Sequence, residues 1–211
     1  MKTIDYYYYY STRSIYAHFG AQRIVDLARR FGRRLIHRPV DLSRVVPAAG
    51  SLPFDKRSTA HKAYQFGREI ERWSEYLGIP ALVDPVHHFG DRTLSAGVIL
   101  AAQATGADVD RLHIDMLAAL WRDDRDLASA EVLESLVNGV GADAKAILDA
   151  ARSTEVQAAF DQCTELAMAN GVPGSPTYIF DGELFYGQDR LMMVERALER
   201  PFAPPGPPPT W

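Results

Sequence analysis

The chain has 211 residues, 47% hydrophobic and 24% charged, which suits one domain, or one domain carrying a large insertion, around a sizeable core. Its net charge of -4 argues against nucleic acid or an anionic membrane face as a partner, since both call for a basic surface. No apolar run is long enough to span a bilayer, and "MKTIDYYYYY" lacks the basic-then-apolar order of a secretory signal. With Cys163 as the sole cysteine no intrachain disulfide can form, so a reducing, cytoplasmic setting is expected.

Thr3 to Tyr10 carries five consecutive tyrosines and reads as a strand. Hydroxyls follow at Ser11, Thr12 and Ser14, and then Ile24, Val25, Leu27 and Ala28 fall at helical spacing as far as Gly32. "RLIHRPV" is a second strand, so a parallel pair with a crossover helix is expected. "DLSRVVPAAGSLPFDKR" reads as a long loop. From about Ser58 to Gly171 nearly every segment is helical in pattern. "PTYIF" and "LFYG" flank Asp181-Gly182, which predicts a hairpin, and "QDRLMMVERALE" a closing helix with Asp189 in its first turn. The tail "RPFAPPGPPPTW" should be an extended arm or disordered, with a docking role for Trp211 as the alternative.

The order β-α-β, helical block, β-β-α is that of a thioredoxin-like sheet interrupted by an all-helical insertion, an α/β fold. The boundaries are 1–50 and 172–200 for the split thioredoxin-like domain, 51–171 for the insertion, whose last helix can pack on the sheet, and 201–211 for the Pro-rich tail.

In such a fold the reactive group sits between the first strand and the first helix, where free N–H groups and the positive end of the dipole stabilise a thiolate. Here that junction holds hydroxyls and no cysteine, and Cys163 lies far along the chain in a helical pattern. Thiol–disulfide exchange by the protein itself is therefore not expected. A serine can instead donate to a thiolate owned by another molecule, which suggests a thiol cofactor such as glutathione; equally, Ser11, Thr12 and Ser14 can simply cap the helix. In "GVPGSPTYIF", Pro176 stands directly before a strand, where it suits either a bare turn or a cis-proline loop that offers the backbone of Ser175 to a peptide-like ligand. In "YGQDRL", Asp189 can take an ammonium and nearby N–H groups a carboxylate, or the segment can be ordinary capping. "DPVHHFGD" brings two histidines and two aspartates together, but adjacent histidines point apart, so a surface loop is expected and no metal site.

Taken together these segments resemble the 2-hydroxychromene-2-carboxylate isomerase family, related to kappa-class glutathione transferases: a DsbA-like thioredoxin domain with a helical insertion. "SIYAHFGAQR" matches the family's first site with Ser14, Tyr16, Gly20 and Arg23 in register, although Ile15 stands where the family has proline. The likeness continues through "RPVDLSRVVPAAG", "HKAYQFGREIERW", "LWRDDRDLASAEVL" and "GVPGSPTYIFDGELFYGQDRL". It implies that Ser14 is the catalytic, glutathione-binding serine, with Ser11 as the alternative register. It further implies that Lys62 contacts the cofactor, that Ser175 and a cis Pro176 hold its cysteinyl unit, and that Gln188 and Asp189 hold its γ-glutamyl end. The implied reaction is glutathione-dependent cis–trans isomerisation of a small aromatic acid by reversible thiolate addition, in a cytoplasmic homodimer. A glutathione transferase and a non-catalytic thiol or aromatic-acid binding protein are the alternatives. Lys62 would meet a carboxylate of substrate or cofactor, and Tyr10 or Tyr16 would line an aromatic pocket unless they are core.

Overall fold

A computed structural model describes residues 4–204 and 206–207. The expected thioredoxin-like fold is what the chain adopts. β1 (Ile4–Tyr10), α1 (Ile15–Arg30) and β2 (Arg33–Pro39) form the first half, and β3 (Thr177–Phe180), β4 (Glu183–Tyr186) and α10 (Leu191–Glu199) the second. The sheet runs β2-β1-β3-β4, with β1 parallel to β2 and antiparallel to β3, and β3 antiparallel to β4. Asp181 and Gly182 turn the hairpin with φ of 50° and 84°; two successive positive φ values are what a tight two-residue connection requires.

Between the halves lie α2 (Leu42–Ala48), α3 (Thr59–Ala63), α4 (Glu69–Leu77), α5 (Thr93–Thr105), α6 (Val109–Trp121), α7 (Ala130–Gly139), α8 (Ala144–Ala151) and α9 (Thr154–Ala169). α3 and α4 are joined by a π turn, Tyr64–Arg68. The stretch after Pro39 is not the long loop its prolines suggest. The Asp41 side chain accepts from the Ser43 N–H at 2.9 Å, capping α2, and Val45 is buried where α2 packs on α9. Pro47, inside the helix, forgoes the bond to the Ser43 carbonyl, and α2 ends one residue later. A single 3₁₀ turn, Phe54–Lys56, follows. At the C-terminus the Phe202 ring lies 6.3 Å from that of Phe185, so the start of the tail lies against the body of the protein; Trp211 lies outside the described residues.

The tyrosine run divides by its period of two. Tyr8 and Tyr10 turn to the face covered by α1 and α6, whereas Tyr9 turns to the face covered by α2 and α9. On the first face the buried hydroxyls are satisfied by imidazoles. Tyr8 Oη lies 3.1 Å from His113 Nε2, Tyr10 Oη lies 3.1 Å from His37 Nδ1, and His37 Nε2 lies 2.8 Å from Asp110 Oδ1. His113 and Asp110 belong to α6, so this cluster ties the helical block to the sheet. Of the two readings of Tyr10, pocket lining and core, the structure shows the core: its neighbours and its hydroxyl partner are all internal.

Burial holds His113 and His18 neutral by lowering their pKa from 6.5. The unfolded chain binds protons at these sites more readily than the folded chain as pH falls below about 6.5, so acid favours unfolding. Urea midpoints should be level above about pH 7. Between pH 6.5 and 5 they should fall, the unfolding free energy dropping by at most about 1.4 kcal/mol per pH unit for each such histidine. Tyr8→Phe, which strands the buried His113 Nε2, should cost about 1–3 kcal/mol in the same assay at neutral pH.

Candidate functional site

The residues between β1 and α1 each have a different partner. The Ser11 N–H donates to Ser175 Oγ at 3.1 Å, and Ser11 Oγ accepts from the Arg13 N–H at 3.3 Å. Thr12 Oγ1 is 2.8 Å from Ser95 Oγ on α5. Arg13 is buried; its guanidinium donates to the carbonyls of His87 and His88 and, at 2.8 Å, to that of Asp91, and it pairs with Asp126 at 3.7 Å. Ser14 alone of the four is half-exposed. It is the N-cap of α1, with Oγ accepting from the Ala17 N–H at 3.2 Å and donating to the Ser175 carbonyl at 3.5 Å. The capping role is therefore real. It also puts the hydroxyl at the tip of the helix, where the partial charge is positive. Between Ser11 and Ser14 the geometry separates a buried turn residue from a hydroxyl open to a ligand.

Opposite Ser14 the Ser175–Pro176 peptide is cis, as expected. Among the described residues no hydrogen bond engages the Ser175 N–H. Tyr186 on β4 flanks this loop so closely that a Cβ added at Gly174 would lie 2.9 Å from its hydroxyl.

Gln188 and Asp189 sit in a 3₁₀ turn, Gln188–Arg190, immediately before α10 rather than in its first α turn. Gln188 is 1% exposed, and its Oε1 accepts from Arg23 Nη1 at 2.5 Å. Its buried Nε2 has no partner among the described residues. Asp189 is partly exposed and accepts from Arg190 at 2.5 Å. Gly20 and Arg23 lie three residues apart, on one face of α1. A Cβ at Gly20 would come within 2.8 Å of Tyr178 Oη and 3.1 Å of Gln188 Cβ. Two of the three α1 positions that stand in register with Ser14 thus seat Gln188: Gly20 by leaving room, Arg23 by donating to it. The spacing showed the register, but not this reason for it.

Lys62 lies on α3, with its ammonium 5.0 Å from the Phe54 ring and 3.4 Å from the Asp55 carbonyl. No direct contact joins it to Ser14. The link is Tyr16, whose hydroxyl donates to the Gln65 carbonyl at 2.7 Å, within the π turn that follows α3. π turns recur at functional sites because they free backbone groups from the helical ladder. Tyr16 is half-buried; burial, reinforced by the negative charge of Glu69, raises its hydroxyl pKa and keeps it a donor. Lys62 opens onto a cleft of about 330 Å³ whose walls include Phe54, Phe66, His88, Phe89 and Trp121. That is the size of a small-ligand site. Sequence patterning did not reveal this cleft, because its aromatics come from four separate segments.

Cys163 is buried on α9, and burial raises its thiol pKa; it takes no part in the site. Among the described residues no group of three His, Cys, Asp or Glu could hold a metal ion, and no helix is long and apolar enough to cross a membrane.

Comparison with known proteins agrees with the fold. A model of the DSBA-like thioredoxin domain matches residues 3–199. The 2-hydroxychromene-2-carboxylate isomerase of Sphingobium xenophagum is 27% identical over 198 residues, covering 93% of this chain and 98% of that protein. Among solved structures, a selenomethionine 2-hydroxychromene-2-carboxylate isomerase superimposes with a TM-score of 0.77 at 23% identity, covering 93% of this chain and 95% of the other. The cytosolic disulfide reductase DsbM of Pseudomonas aeruginosa, solved with GSH, superimposes with a TM-score of 0.63 at 18% identity, covering 94% of each chain.

Gly20→Ala should lower stability by about 1–3 kcal/mol, because the new methyl must displace either Tyr178 or Gln188. Thermal unfolding by circular dichroism checks it; an unchanged midpoint would mean that the α1 face and the Gln188 turn are not in close contact.

Proposed function

We propose that this chain, which belongs to the DSBA-like thioredoxin domain family, is a glutathione-dependent isomerase of aromatic acids like 2-hydroxychromene-2-carboxylate. One observation carries the reading: the hydroxyl of Ser14 caps α1 beside the cis Ser175–Pro176 loop, in a site that holds no cysteine. The relatives that cover nearly the whole chain bear the name of that isomerase, and a neighbour of the same fold was solved with GSH.

The residues fit a thiol peptide. Ser14 and the tip of α1 supply a donor and positive potential suited to a thiolate. The Ser175 N–H and C=O, beside the cis bond, suit the amide plane of a cysteinyl unit. Asp189, held in its turn by the Gln188–Arg23 contact, suits an ammonium, and the orphaned Gln188 Nε2 adds a donor to that corner. Lys62 suits a carboxylate.

When bound, glutathione supplies a thiolate whose reversible addition to the conjugated carbon turns the double bond into a single bond free to rotate. Ser14 holds the sulfur in its ionised form. Pro176 and Ser175 fix its direction toward the aromatic cleft. Lys62 orients the carboxylate, and the aromatic walls exclude water from the reacting carbon. No histidine lies within hydrogen-bond reach of Ser14 Oγ among the described residues, so the serine has no base to make it a nucleophile and its role is that of a donor.

Thiol-free protein should not turn over trans-o-hydroxybenzylidenepyruvate, and added glutathione should restore the rate. Ser14→Ala should lower that rate by about 10–100-fold, the worth of one hydrogen bond to a charged acceptor, and raise the pKa of the bound thiol read from thiolate absorbance. Ser14→Thr, which keeps both cap and hydroxyl, should retain most of the activity. A full rate without any thiol would reject the scheme.

A further inference from the structure

The "DPVHHFGD" segment is the one sequence feature that the proposed reaction leaves unused. Its two histidines diverge. His87 turns away from the cleft, its Nδ1 lying 2.6 Å from the carbonyl of Asp124 and 3.2 Å from that residue's carboxylate. His88 turns into the cleft wall, its ring 4.7 Å from that of Trp121 and 4.6 Å from that of Phe89.

The backbone of His88 is held on both sides: its N–H donates to the Pro85 carbonyl at 3.2 Å, and its carbonyl accepts from Arg13 at 3.4 Å. Arg13 immediately precedes Ser14, so the wall that carries His88 is suspended from the same turn that presents the site hydroxyl. Gly90 lets the guanidinium in, since a Cβ there would lie 2.9 Å from Arg13 Nη2. Across the cleft, Tyr16 ties the Phe66 wall to the start of α1 through the Gln65 carbonyl. Both walls are thus anchored to the residues that flank Ser14.

Among the described residues neither ring nitrogen of His88 has a hydrogen-bond partner. Trp121, which shares its wall, has a buried indole N–H that is also without one. A cleft lined by Phe54, Phe66, Phe89, Ile70 and Val83 therefore holds the unpaired ring nitrogens of His88 together with the Lys62 ammonium and the Asp84 carboxylate. Such unpaired groups are the ones that discriminate between ligands with and without a matching hydroxyl.

Resting on the isomerase reading above, we propose that His88 is the specificity-determining residue of this cleft, hydrogen-bonding the ring hydroxyl of an aryl acid whose carboxylate meets Lys62. Burial and the neighbouring Arg13 lower the pKa of His88 to about 4, so at neutral pH the ring presents one donor and one acceptor. Such a ring serves a neutral phenol without attracting a second carboxylate. The apolar ring walls give affinity for any flat aryl acid, and His88 selects those that carry a hydroxyl.

Calorimetric titration of the full, thiol-free chain with trans-o-hydroxybenzylidenepyruvate and with trans-benzylidenepyruvate, which lacks the ring hydroxyl, tests this. The wild type should prefer the hydroxylated acid by about 10-fold, the worth of one hydrogen bond. His88→Phe should reduce the ratio to about 1 by weakening only the hydroxylated ligand, and His88→Asn, which keeps a donor and an acceptor, should retain part of the preference. His88→Ala serves the same purpose should the phenylalanine variant not fold. No preference in the wild type, or one that survives in both His88→Phe and His88→Ala, overturns the assignment. Failure of both acids to bind overturns it together with the substrate class. A preference that follows His88 in an enzyme needing no glutathione supports His88 and removes only the thiolate scheme.

Discussion

The site depends on the antiparallel pairing of β1 with β3. Tyr9 stands opposite Thr177 across that ladder. Everything the chain carries just beyond β1 is therefore laid beside everything it carries just before β3. Ser11 and Ser14 meet Ser175, more than 160 positions away, only because the ladder sets that register. A slip of one residue would exchange the faces, turning Tyr8 and Tyr10 away from their imidazole partners and Tyr9 toward them, so the register is held by the burial of three tyrosines on two covered faces. The polar site is positioned by an apolar constraint.

A second constraint keeps the helical block in place. Tyr8 and Tyr10 are large enough to fill the space under α1 and α6, but each brings a hydroxyl that cannot be left unpaired. His113 and His37 answer them, and Asp110 answers His37. These bonds have direction, whereas aliphatic packing has none. They fix α6 on the sheet, and with it Trp121 at the end of α6, which forms part of the cleft wall. The core and the ligand cleft share one helix.

The turn that follows β1 joins these two systems. Thr12 reaches α5, Arg13 reaches the 87–91 segment, and Ser14 caps α1. In a redox protein of this fold a cysteine at such a helix tip would be the reagent. Here the tip keeps its electrostatic character but carries the Ser14 hydroxyl, which does not undergo thiol redox chemistry. The 87–91 segment held by Arg13 of that turn also forms part of the aromatic cleft.

Much of this was legible in the order of residues. The β-α-β and β-β-α halves, the helical block between them and the Asp181-Gly182 hairpin follow from local preferences, periodicity and turn chemistry, whereas around Pro176 the residues alone left a bare turn and a cis loop both open. Such preferences act over a few residues, so they can be read along a line. The helix α2 was missed because one side-chain cap and one buried valine outweighed its prolines, and the burial of Val45 depends on α9, over a hundred residues away. The burial of Tyr10, the service of Gly20 and Arg23 to Gln188, and the convergence of Phe54, Phe66, His88 and Trp121 on one cleft have no local signal at all. Composition and pattern determined which elements form and which chemistry is excluded. Only the packing of distant segments decided which side chains face a ligand, because burial and proximity are properties of the folded volume and not of the chain's order.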